Sequence, residues 1–201
     1  MTDDKYNKES LKKYQKDLLD CVRDSSETEP RTFRNERREH NAKIMNVMFM
    51  ESDSIDMFCG EMSILRDSFY RRIDASSENL GADLKEELAE NIKSFLYADK
   101  KLRIFTLRYK PEMADEFITP ELRTHLGKGV EIYVPDQKMS LVSSMSHISV
   151  GRKNGHPFMV RVETDQESHS ALCTIRPSEQ DIRSIEAQFS MLPVGARSYS
   201  N

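Results

Sequence analysis

The stretch HISVGRKNGHPFMVRVE, residues 147–163, carries two short runs with strand character on either side of a turn. HISVG (147–151) and FMVRVE (158–163) read as strands, separated by the turn-like RKNGHP. A third run, ALCTI (171–175), follows TDQESHS, so the last third of the chain reads as an antiparallel meander. Beyond it, Pro177 and Ser178 open a helix. Ser178 and Asp181 have the spacing of a capping box, and Ile182, Ile185, Phe189 and Leu192 make the apolar stripe.

Upstream the rhythm differs. Ile44, Met45, Val47, Met48 and Phe49 predict an apolar-faced helix ending near Ser52, and IDMFC (55–59) reads as a buried strand stopped by Gly60. Leu65, Phe69 and Tyr70 share a helix face. Leu84, Leu88, Ile92, Phe95 and Leu96 recur at helical intervals behind Asp83, before a strand with Leu102, Ile104 and Phe105. Met113, Phe117, Leu122 and Leu126 line a further helix broken at Thr119-Pro120, and VEIYV (130–134) is a third strand. Strand and helix alternating over about 80 residues imply right-handed crossovers. The expected fold is α/β, with a mixed, largely parallel sheet and flanking helices.

Residues 1–39 read differently. Leu11, Leu18, Leu19 and Val22 make one short amphipathic helix within Lys8–Arg23, followed by the mixed-charge SSETEPRTFRNERREH. Arg31, Arg34, Arg37 and Arg38 are candidates for phosphate contacts, but Glu36 and Glu39 interleave with them, which favours a solvated helical arm. The division is therefore an N-terminal helical arm at 1–39, an α/β domain at 40–192 and a frayed tail at 193–201.

The 201 residues carry 32% charged and 37% hydrophobic side chains and a formal charge of −4, which excludes a globally basic nucleic-acid coat but not a local basic patch. No apolar run approaches the roughly 20 residues that cross a bilayer. Three cysteines, Cys21, Cys59 and Cys173, cannot all pair within one chain. The reading is a cytoplasmic protein with free thiols and no membrane partner.

Common chemical signatures are missing. There is no GxxxxGK[ST] loop and no GxGxxG after a strand, no HExxH, and no zinc spacing among His40, His125, His147, His156, His169 and the cysteines. No cofactor and no metal are expected. Cys59 at a strand end invites a nucleophile reading, but with no partner base in sight a structural thiol is favoured. Met45, Met48, Met50, Met57 and Met62 cluster around the first strand and read as adaptable core packing.

In a strand, His147 and Ser149 point to one face, and the turn at Lys153-Asn154-Gly155 is expected to bring Asn154 back towards them. This segment resembles the HxKxxxxD motif of the phospholipase D-like superfamily, and the element order from IDMFCGEMSI to the closing helix resembles one half of that fold over residues 40–192. In that family the His attacks phosphorus, the Lys holds phosphoryl oxygens and the Asp supports the His. Here His147 keeps its place while Ser149 stands for the Lys and Asn154 for the Asp. Two of three roles change, and the loss of the cation removes charge stabilisation from a phosphoryl-transfer transition state.

The resemblance thus implies a catalytically degenerate homologue that binds nucleic acid or another phosphate-bearing partner, an accessory of nucleic-acid processing or defence. His147, Ser149, Arg152, Lys153 and Asn154 are the candidate binding residues. Further basic residues flank the strands: Lys100, Lys101, Arg103, Arg108 and Lys110 near the second, Arg71 and Arg72 after the first. A single half implies a homodimer with two His147 hairpins near a twofold axis. Three alternatives stay open. His147 as an ordinary hydrogen-bonded strand residue is one, a scaffold that binds protein through residues 1–39 another, and a phosphodiesterase or nuclease with a divergent site the third.

Overall fold

The computed structural model of the chain describes residues 8–74, 79–134, 147–165, 170–192 and 197–199. Helix α1 (Lys8–Arg23), strand β1 (Arg31–Asn35) and helix α2 (Arg38–Glu51) precede β2 (Ser54–Cys59), a 3-10 turn at Ser63–Leu65 and α3 (Asp67–Asp74). Helix α4 (Leu80–Tyr97) leads to β3 (Lys101–Thr106). A 3-10 turn at Pro111–Glu116 and α5 (Pro120–Thr124) lead to β4 (Val130–Val134). Strands β5 (Ile148–Lys153), β6 (His156–Asp165) and β7 (Ser170–Ile175), helix α6 (Glu179–Met191) and β8 (Arg197–Tyr199) follow.

These strands form one sheet in the order β1-β7-β6-β5-β2-β3-β4-β8. The sheet is mixed, as expected, but its parallel part is confined to β2, β3 and β4; every other neighbouring pair is antiparallel. The crossover helices α3, α4 and α5 serve only that parallel centre, whereas β5, β6 and β7 need no crossover because short reversals join them.

One face of the sheet is covered through α2. From Ala42 to Phe49 every residue of this helix is buried, because α1 and α4 pack on its outer sides while the sheet lies beneath. Lys43 pairs with Glu87 of α4 and Asn91 donates to Asn46 Oδ1 at 3.2 Å, while the buried Asn46 Nδ2 has no hydrogen-bond partner. Burial of each large apolar side chain here contributes about 1.5–3 kcal/mol. Gly151 lets the helix come close, since a Cβ there would lie 2.5 Å from Ser52 Oγ and 3.0 Å from Met48 Cγ. On the opposite face, Ile185, Phe189 and Leu192 of the α6 region pack on Phe58, Phe105, Ile148, Val150 and Val160. The Ser178–Asp181 capping box opens α6 as the sequence predicts.

Residues 8–35 differ from the solvated arm expected of them. Leu11, Leu18 and Cys21 of α1 are buried in the main core, and Arg31–Asn35 pairs antiparallel with β7 as an edge strand. Within the expected frayed tail, Arg197–Tyr199 pairs with β4, and Tyr199 meets Tyr109 edge to face at 4.8 Å. Both are edge strands, where charged and polar side chains blunt further pairing and hide the usual strand signature.

Candidate functional site

The β5–β6 hairpin places the chemistry. Alternation along β5 sends His147, Ser149 and Gly151 towards the α2 face and Ile148, Val150 and Arg152 towards α6. Across the antiparallel ladder Ser149 faces Arg161, and the Glu163 N–H donates to the His147 carbonyl at 2.9 Å. Directly opposed residues share a sheet face, so His147, Ser149, Arg161 and Glu163 form a two-by-two block.

His147 Nδ1 lies 2.5 Å from Glu163 Oε2. A carboxylate only accepts, so Nδ1 carries the proton and Nε2 is left for a ligand. The side chain of His147 is 18% exposed and that of Glu163 6%, which makes the imidazole the accessible member of the pair. Phe58 meets the imidazole edge to face at 6.2 Å. Gly60, just past β2, provides the space: a Cβ there would sit 3.2 Å from Nε2 and 3.3 Å from Cε1. Thr106 Oγ1 donates to the Gly60 carbonyl at 2.8 Å and fixes this strand end.

Arg161 supplies a buried cation. Its Nε donates to Asn41 Oδ1 of α2 at 2.6 Å, and its Nη2 lies 3.8 Å from Glu163 Oε1. Burial presses its guanidinium below the ordinary value, and the Glu163 charge works against that. Asn41 is itself held by Asn35 of β1 at 2.6 Å, so the edge strand sequence reading omits helps support the site.

A small cavity of about 40 Å³ opens beside these groups. Met57, Cys59, Ile64 and Phe69 contribute its apolar wall, and the charged and polar groups are His147, Ser149, Arg161, Glu163 and Glu61. Met62, also in the wall, adopts a left-handed backbone at φ 53°, a strained conformation of a kind that clusters at ligand sites. Burial pushes the Cys59 thiol up to about 12, which favours the neutral thiol at physiological pH.

Of the residues proposed from sequence, His147 and Ser149 come together. The other three do not join them. Arg152 turns to the α6 face, where its Nε donates to Asp56 at 2.9 Å and its Nη1 to Glu186; Arg103 completes the cluster with two bonds to Asp56 at 2.6 and 2.7 Å. Burial opposes the Arg152 charge, and Glu186 and Asp56 outweigh it, so its affinity for the proton rises. Lys153 pairs with Glu51 at 2.9 Å and lies over the Phe158 ring. Asn154 does not return towards His147. It sits at the far end of β5, about 20 Å away along a strand rising about 3.3 Å per residue, with φ 50° beside Gly155 at φ 79°. Positive φ at both central residues is the requirement of a tight two-residue hairpin, and that is what Asn154 provides.

The residues missed from sequence are Arg161, Glu163 and Gly60. Among other candidates, Arg103 is held by Asp56, Arg108 lies 3.5 Å from Glu61, and Arg71 pairs with Asp67. His169 lies outside the described residues. Among the described residues no group of three His, Cys, Asp or Glu side chains is arranged to hold a metal, and no helix is long and apolar enough to cross a membrane.

No protein-family model matches this sequence, and no curated protein matches it either. Solved structures do. The phospholipase D family member Nuc from Salmonella typhimurium superposes with a TM-score of 0.51 at 10% identity, over 86% of this chain and 100% of that one. The fold is phospholipase D-like. The archaeal chromatin protein TrmBL2, whose structure is described as showing a novel mode of DNA binding, also matches at a TM-score of 0.51 and 12% identity. That match covers 94% of this chain and 63% of TrmBL2. His147 stands immediately before β5, and its carboxylate partner comes from the neighbouring strand β6.

Proposed function

We propose that this phospholipase D-like chain binds nucleic acid by holding a backbone phosphate at the His147 pocket. One observation carries the reading: the β5–β6 register sets an oriented imidazole, a hydroxyl and a buried guanidinium side by side at one strand end. The Ser149 hydroxyl, Arg161 and, when the imidazole carries both protons, His147 Nε2 are the donor types that contact phosphate oxygens. A DNA-binding protein among the structural neighbours fits the same ligand class.

Binding without turnover is the preferred form. No lysine stands at position 149, and Arg161 already bonds Asn41 and lies near Glu163, so little uncompensated charge remains for a developing transition state. The chain supplies one motif hairpin, and a second copy is proposed to bring its own His147 near a twofold axis, in an accessory role in nucleic-acid processing or defence. The test is a size-resolved mass measurement with and without single- and double-stranded oligonucleotides, using the wild-type protein and His147→Ala. A dimer that takes up wild-type-dependent oligonucleotide supports the reading. A monomer indifferent to both strands overturns it.

A second reading, a divergent phosphodiesterase, draws on the Glu163–His147 bond. A carboxylate on Nδ1 orients a histidine for reaction at Nε2, and loss of such a partner costs about 10⁴-fold in serine proteases. Cleavage of a labelled oligonucleotide, abolished in His147→Ala, would select this reading over binding alone. The protein-scaffold alternative draws on the N-terminal amphipathic helix and the Met-rich region. Burial of Leu11, Leu18 and Cys21 in the core weighs against the apolar side of that helix as its contact surface.

A further inference from the structure

Two arginines outside the pocket have no carboxylate partner among the described residues. Arg38 opens α2, and Arg72 lies in the last turn of α3. Their neighbours in sequence behave differently: Arg66 pairs with Glu116 and Arg71 with Asp67. Arg38 Nε is buried and has no hydrogen-bond partner. Burial and the nearby positive charge of Arg72 both hold the Arg38 guanidinium below its ordinary value, and Glu39 offsets this in part. Like charges held together with an unmade donor are costly in the free chain, and an anion between them relieves both faults.

The two side chains also stand in a telling place. Arg38 is three residues before Asn41, the residue that accepts from Arg161. Arg72 is three residues after Phe69, which lines the cavity. Residues three apart on a helix are surface neighbours, so each arginine lies one turn from a residue of the site. The first turn of α2 adds its positive dipole end, and its cap residue Arg37 gives no side-chain capping bond.

We propose that Arg38 and Arg72 form a second anion subsite beside the His147 pocket, which takes an adjoining phosphate of the same nucleic-acid strand. The proposal rests on the reading of the pocket as a phosphate site. Two planar guanidinium forks suit the oxygens of one phosphodiester. A ligand with one phosphate then uses the pocket alone, and a strand with several phosphates engages both subsites.

The experiment compares a mononucleotide with a labelled oligothymidylate of several phosphates, on wild-type protein, Arg72→Ala and Arg38→Gln, over a range of salt. Arg72 is exposed, so its removal leaves the fold intact; circular dichroism of Arg38→Gln checks the half-buried position. Arg72→Ala is expected to weaken the oligonucleotide about three- to tenfold and to lower the slope of log K against log salt by about 0.7, the contribution of one phosphate in a single strand. Binding of the mononucleotide stays unchanged. If the wild type binds the oligonucleotide and Arg72→Ala binds it with equal affinity and equal slope, the subsite is overturned while the pocket reading stands. If the wild type binds no oligonucleotide at all, the pocket reading falls and the subsite with it.

Discussion

His147 Nδ1 and Glu163 Oε2 lie 2.5 Å apart, joined across a hairpin whose strands pair antiparallel. The bond orients the imidazole and frees Nε2, and it brings a carboxylate to His147 that Asn154, in the place of the family's Asp, cannot supply. Glu163→Gln keeps the size and one acceptor but removes the charge. Oligonucleotide binding is expected to weaken about tenfold, the scale of a charge-assisted hydrogen bond. Equal binding by Glu163→Gln and wild type, measured by fluorescence anisotropy, would detach Glu163 from the site.

Gly60→Ala tests the space beside the imidazole. The added Cβ would come within 3.2 Å of His147 Nε2, close enough to push the ring aside. The expected outcome is weakened oligonucleotide binding with a melting temperature within a few degrees of wild type. Unchanged affinity would show that the ring does not need its present position.

Asn154 separates the turn account from the motif account. As a hairpin residue at φ 50° it tolerates Asn154→Gly, whereas Asn154→Ala should cost about 1–2 kcal/mol in chemical denaturation. Neither variant should alter oligonucleotide binding. A large binding loss with unchanged stability would return Asn154 to the site.

The Asp56 cluster is a stability device. Asp56 is 1% exposed and holds Arg103 and Arg152, so Asp56→Ala leaves two guanidiniums without their shared partner. A loss of about 3–5 kcal/mol is expected, as for other broken buried pairs. A loss under about 1 kcal/mol in urea unfolding would contradict this.

Alkaline pH should destabilise the fold through its thiols. Burial pushes both Cys59 and Cys173 up from 9.0 to about 12, so the folded state retains protons that the unfolded state releases. The stability from this source is complete below about pH 9 and declines as pH rises towards 12. Melting temperatures across that range should fall less steeply in Cys173→Ala than in wild type. Identical slopes would remove the thiols from the account.

How much of this was legible in the sequence depended on burial and on register. β2, β3 and β4 were readable because their apolar runs are buried, and α6 because its cap and stripe agree. β1 and β8 were not, since edge strands such as RTFRN carry almost no apolar pattern. The site was legible only at its His147 end. The β5–β6 ladder shifts register between Gly151 and Arg152, and a one-residue shift exchanges the faces of every residue beyond it. Without that bulge Val160 and Val162 would face the site. With it Arg161 and Glu163 do, and no feature of FMVRVE announces the shift.

The central claim is that the His147 pocket holds a nucleic-acid phosphate. Its most direct test is the affinity of a labelled oligonucleotide for wild type and His147→Ala, measured side by side across a salt series. The account predicts that log K for the wild type falls linearly with log salt and that His147→Ala binds at least about tenfold more weakly at each salt concentration. Absence of wild-type binding, or curves that coincide for the two proteins, would contradict it.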